Sequence, residues 1–328
     1  MSYGDMLEMR KSVSLPPQIL KGVLHKGCKA CISGSSKAGK TWSLINLAVS
    51  ATTGAPWLGI EIPNELKVLY LDFELPSRLA IERFYTVASK LDADEEKIKK
   101  NLEYWALRGA KAGLDRLLEH LHLTGQSNVF DLIILDPYYK ISGRFDENSA
   151  ADVKGVLDSI EDFSQETGAA FFFAHHFSKG NKADVDAIDR ASGSGVFGRD
   201  PDAILTLTKH SEADCLALEY QLRNCPPKES AVVEFSKESF PAFIPRDGLD
   251  PKDLNRPSPG QNNENDIPDD DVVALLGMDA MSGEQWRARA IEQGMSLRAF
   301  DRARKRLSDD SGPVGVRQSN DDARKKLY

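Results

Sequence analysis

The sequence predicts an α/β fold: a mostly parallel central sheet covered by helices, followed by a small winged-helix-like domain. Three observations carry that expectation. Gly34 to Thr41, Gly-Ser-Ser-Lys-Ala-Gly-Lys-Thr, fill every fixed position of G-x-x-x-x-G-K-[ST], between a segment of strand character and one of helical spacing. Runs of apolar β-formers then alternate with amphipathic segments, as buried parallel strands alternate with their crossover helices. A stretch rich in Pro, Asn and Asp finally separates this region from an arginine-rich end.

Composition sets the outer bounds. With 328 residues, 41% of them apolar, the chain can hold one full α/β domain and a smaller module. A formal net charge of -8 argues against a wholly basic nucleic-acid coat, although a local basic patch is compatible with it. No run approaches the roughly 18 apolar residues that span a bilayer, and Met1 to Lys11 lack an apolar signal core, so a cytoplasmic protein without a membrane partner is expected. Four cysteines make no disulfide framework. Cys28 and Cys31 form a lone C-x-x-C without the second ligand pair of a zinc site, and are read as residues on or beside the first strand.

Residues 1–20, polar and carrying Pro16-Pro17, read as an N-terminal arm outside the core. Gly22 to Ile32 have strand character, and Trp42 to Ala48 have helical apolar spacing. Between them lies the loop Gly34, Ser35, Ser36, Lys37, Ala38, Gly39, Lys40, Thr41, with Trp42 at its end, the expected nucleotide-binding segment. Its glycines let backbone N–H groups turn inward around a β-phosphate at a helix N-terminus. Lys40 supplies charge to the β/γ-phosphates, and the Thr41 hydroxyl is a ligand for Mg²⁺.

Thr53 to Gly59 form a turn-rich stretch, and Lys67 to Glu74 read as a buried strand with Glu74 at its end, where open parallel sheets gather ligand groups. Glu74 is therefore the candidate general base. Leu79 to Leu91 read as a helix, Asn101 to Leu107 as a short strand and Gly113 to Leu123 as an amphipathic helix. Val129 to Pro137 form an apolar run that ends in Asp136, which downstream of a phosphate loop is the expected Mg²⁺-shell carboxylate.

Asn148 to Thr167 read as a helix with Val153, Val156, Leu157, Ile160 and Phe163 on one face, and Ala169 to His176 as a further buried strand. Neighbouring residues on a strand point to opposite faces, so His175 and His176 cannot readily grip one metal together. One of them is read instead as a γ-phosphate sensor. Ser178 to Ser194 read as a loop; Ala203–Thr208, Cys215–Arg223 and Ala231–Phe235 read as closing strands, the last two joined through Asn224 to Pro227.

Four segments are delimited: an arm over 1–20, the α/β domain over 21–245, an acidic, Pro-rich linker over 246–271 and a winged-helix-like domain over 272–328. In the last, Val272–Leu276, Gly283–Gln293 and Ser296–Ser308 read as helices, and Gly312 to Arg317 as a turn and wing. The third helix carries Arg298, Arg302, Arg304, Lys305 and Arg306, candidate DNA contacts in a helix-turn-helix setting. A solvated face in a protein-interaction module is an equal reading, since winged helices serve both purposes.

In this order, Gly-Ser-Ser-Lys-Ala-Gly-Lys-Thr, Leu-Tyr-Leu-Asp-Phe-Glu, Leu-Ile-Ile-Leu-Asp-Pro and Phe-Ala-His-His-Phe-Ser-Lys-Gly resemble the RecA-type ATPases of the plasmid RepA hexameric helicase group and its phage relatives, over roughly residues 20–240. The resemblance implies a RecA-like P-loop core working on ATP and Mg²⁺ as a ring of six subunits with nucleotide between neighbours. It assigns the water-activating glutamate to Glu74, the second metal-shell acid to Asp136 and the sensor to His175 or His176. It also implies an arginine finger. Relatives place one in an Arg-Gly-Ser segment where this chain has Ser192-Gly193-Ser194, leaving Arg190, Arg199 and Arg223. Arg223 is favoured, because Gln221-Leu222-Arg223-Asn224 is similar to the Lys-x-Arg finger of DnaB-type cores, with Gln221 replacing the lysine.

The leading functional expectation is a DNA-acting ATPase, a replicative helicase or helicase loader of a mobile element, with single-stranded or duplex DNA as partner. The alternative is an ATP-dependent switch that controls a partner or promoter through its C-terminal domain. A small-molecule kinase ranks last, because no arginine-rich lid lies between Glu74 and Asp136.

Overall fold

A computed structural model of the chain describes residues 1–35, 38–110, 113–137, 149–176, 200–255, 269–276, 281–293, 295, 297–308, 314–315, 317–318 and 326–327. They divide into two compact units, Met1–Arg256 and Pro257–Tyr328.

The first unit opens with α1 (Tyr3–Ser12), exposed along its whole length, then β1 (Gln18–Leu20) paired antiparallel with β2 (Leu24–His25). The parallel strands are β3 (Lys29–Gly34), β4 (Val68–Asp72), β5 (Leu102–Ala106), β6 (Leu132–Asp136), β7 (Ala170–His176) and β8 (Ala203–Lys209). Antiparallel β9 (Cys215–Leu222), β10 (Ala231–Glu234) and β11 (Ile244–Pro245) extend one side. Among the described residues the sheet runs β11-β10-β9-β8-β3-β7-β6-β4-β5. This is a RecA-like α/β arrangement.

Alternation on the strands builds two cores. On one face, Phe172 and Ala174 of β7 join Leu44 and Leu47 of α2 (Lys40–Thr53) and Val87 of α3 (Ser77–Lys90), with Ile98 of α4 (Glu95–Asn101) packed against them. On the other, Phe171 and Phe173 join Leu118 of α5 (Leu114–Leu123) and Leu157 of α6 (Ala150–Thr167). With both faces covered, every residue of β4 and β6 is buried, which is why these strands read as unbroken apolar runs.

Register aligns the C-terminal ends of the strands. Gly34 pairs with His176 on one side and Leu207 on the other, and Asp72 pairs with Asp136. The chemistry-bearing residues thus collect at the edge where parallel sheets bind ligands.

The N-terminal arm is shorter than the sequence suggests. Ile19 and Leu20 are buried in the core, anchored by the β1–β2 pair, so apolar burial overrides the polar character of what precedes them. The expected first strand is divided, with Gly27 at a φ of 76° turning the chain between β2 and β3. The linker also starts later: the Asn255 N–H donates to the Lys209 carbonyl and the Ser211 N–H to the Asp253 carbonyl, tying residues up to 255 to the first unit. Asp269 to Asp271, read as linker, form the first turn of a helix.

The second unit contains α7 (Asp269–Ala274), α8 (Gly283–Glu292) and α9 (Leu297–Leu307), with β12 (Arg317–Gln318) paired antiparallel to β13 (Lys326–Leu327). Trp286 is fully buried; its indole N–H donates to the Val272 carbonyl at 2.8 Å and its ring meets Phe300 edge-on at 5.3 Å. Ser282 caps α8 in a reciprocal box with Gln285. Among the described residues no helix is long and apolar enough to cross a membrane.

Candidate functional site

The loop after β3 delivers the chain into α2 through Gly39, whose φ of 78° admits a left-handed step. A Cβ at Gly39 would lie 3.1 Å from the Phe243 ring and 3.2 Å from that of Phe235, and one at Gly34 would lie 3.0 Å from the Leu207 carbonyl. Neighbouring side chains and strands therefore demand both glycines, in addition to any ligand.

Lys40 is 5% exposed, and its ammonium donates to the carbonyls of Gly34 and Ser35, each at 2.8 Å. Burial pushes it down to about 8, against the opposing pull of Asp136 and Glu74. The next residue makes the link to β6: the Thr41 hydroxyl donates to Asp136 Oδ1 at 3.4 Å. Asp136 Oδ2 accepts from the Tyr70 hydroxyl at 2.7 Å. Burial pushes the Asp136 carboxyl up to about 7; the Tyr70 hydrogen bond opposes this and the charge of Asp72 adds to it. Lys40, Thr41 and Asp136, proposed separately from sequence, thus lie together.

Glu74 lies two residues beyond β4, half-buried, in the turn that leads to α3. Its charge acts on both Lys40 and Asp136, so it belongs to the same constellation. Its backbone is held by a residue that the sequence reading passed over. Asp72, the last residue of β4, is completely buried; its Oδ1 accepts from the N–H groups of Glu74 and Leu75, each at 2.8 Å, and its Oδ2 from the Tyr104 hydroxyl at 3.0 Å. Asp72, Tyr70 and Tyr104 were legible only as strand residues, because the pairings that join them run across β4, β5 and β6.

His175 is buried at the end of β7, on the face it shares with Phe171 and Phe173. The backbone of His176 pairs with Gly34 and so reaches the level of the phosphate loop. Both remain sensor candidates.

Arg223 lies elsewhere. Leu222 pairs with Ala203 at the start of β8 and Arg223 follows it, level with Asp202, whereas Gly34 pairs with Leu207, so Arg223 sits roughly 16 Å down the strands from the loop at about 3.3 Å per residue. Its N–H donates to the Asp202 carbonyl at 2.8 Å and its guanidinium to the Asp200 carbonyl at 3.2 Å. It is at the wrong edge to serve the loop of its own chain. Ser36, Lys37, Arg190 and Arg199 lie outside the described residues.

Beside the loop, Trp42 meets Phe240 edge-on at 4.7 Å and carries the Arg83 guanidinium over its ring at 4.6 Å, while Phe235 stacks on Phe243 at 4.3 Å. A cavity of about 280 Å³ opens between Ala38, Phe235, Asn255 and the turn joining β8 to β9, lined there by His210, Glu212 and Asp214. Phe235, Phe240 and Phe243 come from the segment after β10, which carried no motif.

In the second unit Lys305 is exposed on α9, while the Arg304 guanidinium lies 3.6 Å from Asp301 and over the Phe300 ring at 5.9 Å. Arg304 is thus partly engaged within its own helix. Arg298, Arg302 and Arg306 lie on the same helix.

A family model described as an AAA domain matches residues 8–182. Among solved structures, an ATPase domain superposes with a TM-score of 0.53 at 13% identity, over 74% of this chain and 96% of that one. A crystal structure of the RadB recombinase gives 0.48 at 16% identity, over 65% and 90%. No curated protein matches the sequence. At these identities the likeness to the solved ATPase domain bears on fold alone.

Proposed function

The chain belongs to the AAA domain family, and from that premise we propose that it hydrolyses ATP and couples the turnover to DNA, as a helicase or helicase-loading ATPase of a mobile element. The observation that carries the chemistry is the convergence of Lys40, Thr41, Asp136 and Glu74 at one edge of the sheet. In this reading, Lys40 exchanges the carbonyls of Gly34 and Ser35 for β/γ-phosphate oxygens, gaining anionic partners for a charge that burial disfavours. The hydroxyl of Thr41 and the carboxylate of Asp136 are hard oxygen donors 3.4 Å apart, a pair suited to Mg²⁺. When bound, that ion supplies charge neutralisation on the phosphates. Glu74 accepts a proton from the attacking water at its carboxylate, and His175 or His176 responds to the γ-phosphate. The nucleoside occupies the cavity beside Ala38 and Phe235.

The position of Arg223 supports a role across an interface. Its distance from its own loop leaves a neighbour's loop as the site it could complete, making hydrolysis depend on assembly, in a ring of six by the resemblance above. The test is ATPase rate titrated in protein concentration, with and without single-stranded DNA, beside Arg223→Ala. A rate per subunit that rises with concentration and DNA and collapses in the variant is expected. A rate indifferent to all three would sink the reading.

One observation favours a second reading. Residues 257–328 form a unit with its own core around Trp286, as a separable regulatory module would. An ATP-dependent switch predicts sequence-specific duplex binding by that unit with slow turnover in the core.

A further inference from the structure

We propose that Asp72 is a positioning residue for hydrolysis, holding the Glu74 turn in its reactive pose with Tyr104 as its brace; the inference rests on the reading of Glu74 as the base.

A carboxylate buried as fully as Asp72 is costly unless hydrogen bonds replace its water. Here every donor has a structural purpose. Two are the successive backbone N–H groups of Glu74 and Leu75, both taken by Oδ1, which closes a side-chain turn around Asp72-Phe73-Glu74-Leu75. The third is the hydroxyl of Tyr104, from β5 at the edge of the sheet, which orients Oδ2. The same turn is tied to the metal-side strand: the Phe73 N–H donates to the Asp136 carbonyl at 2.9 Å, and Asp72 pairs with Asp136 in register. Consecutive amides are therefore fixed to Asp136 and to Asp72, so the origin of the Glu74 side chain is set relative to Asp136.

Helix capping does not account for Asp72. The α3 helix starts at Ser77 after Pro76, with no side-chain cap bond. Among the described residues, the side-chain hydrogen bonds of Asp72 go to the Glu74 turn and to Tyr104, not to the phosphate loop. Its influence on chemistry passes through Glu74.

The experiment is a double-mutant cycle in the full chain. Asp72→Ala, Asp72→Asn and Tyr104→Phe are made alone and with Glu74→Gln, and single-turnover hydrolysis, Kd for a fluorescent ATP analogue and Tm are measured. Asp72→Ala should slow hydrolysis by about 30-fold or more while Kd moves less than about 3-fold, the sign of an interaction expressed in the chemical step. Asp72→Asn keeps an oxygen for both amides and should stay within about 3-fold of the parent rate. Tyr104→Phe should fall between the two.

In the Glu74→Gln background, Asp72→Ala should cost less than about 2-fold more, because residues acting as a unit are not additive. An undiminished cost there, or a Kd that rises in step with the lost rate, would overturn the inference while leaving Glu74 as base. A Glu74→Gln protein that hydrolyses at the parent rate would instead overturn the reading of Glu74, and the inference with it. Should Asp72→Ala not fold, Asp72→Ser, which keeps one acceptor, replaces it in the cycle with an expected loss of about 10-fold, again vanishing beside Glu74→Gln.

Discussion

Lys40 and Asp136 are each held in an environment that disfavours their charge, and both have consequences that pH can read. Asp136 has a folded-state carboxyl at about 7 against an ordinary 3.8, so the folded protein binds its proton more tightly than the unfolded chain. Its contribution to stability is complete below 3.8 and is lost as pH rises through 7. For Lys40, lowered from 10.5 to about 8, the contribution is present above 10.5 and lost as pH falls through 8. Near pH 7.5 both burdens are felt. At about 1.4 kcal/mol per pKa unit each is of the order of a few kcal/mol. Asp136→Asn should therefore raise the Tm of the nucleotide-free protein at pH 8 and leave it nearly unchanged at pH 4. Lys40→Met should raise it at pH 7, and both should abolish turnover, the exchange of stability for activity expected at a strained site. Thermal melts across pH would check both, and an unchanged or lower Tm for Asp136→Asn at pH 8 would count against a burdened site. At this scale the loop was legible from its fixed spacing, and the places of Glu74 and Asp136 from the apolar runs that they close. Asp72, Tyr70 and Tyr104 were not, since a carboxylate ending one strand acquires partners only when neighbouring strands fall into register.

Elements were legible where an apolar run or stripe is long enough to show its period. Phe171, Phe172 and Phe173 feed both cores at once, so β7 could be read directly from its apolar run. The charged α4, Glu-Glu-Lys-Ile-Lys-Lys-Asn, offers no such stripe; it is specified by Asp94, whose side chain accepts from the N–H groups of Glu96 and Lys97. The three residues of β1 are too few to show a period. The join between the loop and α2 gives the sharpest test at this scale. Gly39→Ala places a methyl group against Phe235 and Phe243 at a left-handed φ, which should cost about 1–3 kcal/mol and lower Tm by several degrees. Nucleotide affinity should fall with it, because the loop and the aromatic segment cannot both keep their places. Calorimetry beside a nucleotide titration would show this, and a variant that matches the parent in both would mean that the rings yield freely.

The division of the molecule into two units was visible in composition, whereas its boundary was not, because backbone hydrogen bonds of Ser211 and Asn255 hold a Pro- and Asp-containing segment that composition alone assigns to a linker. With its own core of Val272, Trp286, Phe300 and Leu307, a fragment of residues 257–328 should unfold cooperatively by near-ultraviolet circular dichroism. A featureless, gradual melt would show that the core needs the rest of the chain. The first unit has a polarity with a further consequence. Its phosphate loop ends the parallel strands and Arg223 lies where they begin, so a chain that completes its neighbour offers one edge and receives at the other. Such contacts are head-to-tail, and they close or stay open according to the rotation between copies. In an open row the copy at one end always has an unfilled seat, while a closed circle has none. Were Arg223 to complete a neighbour's site in this way, turnover would count junctions instead of molecules: a row of n copies would work as n − 1, and closing it would add a whole active centre without adding a chain.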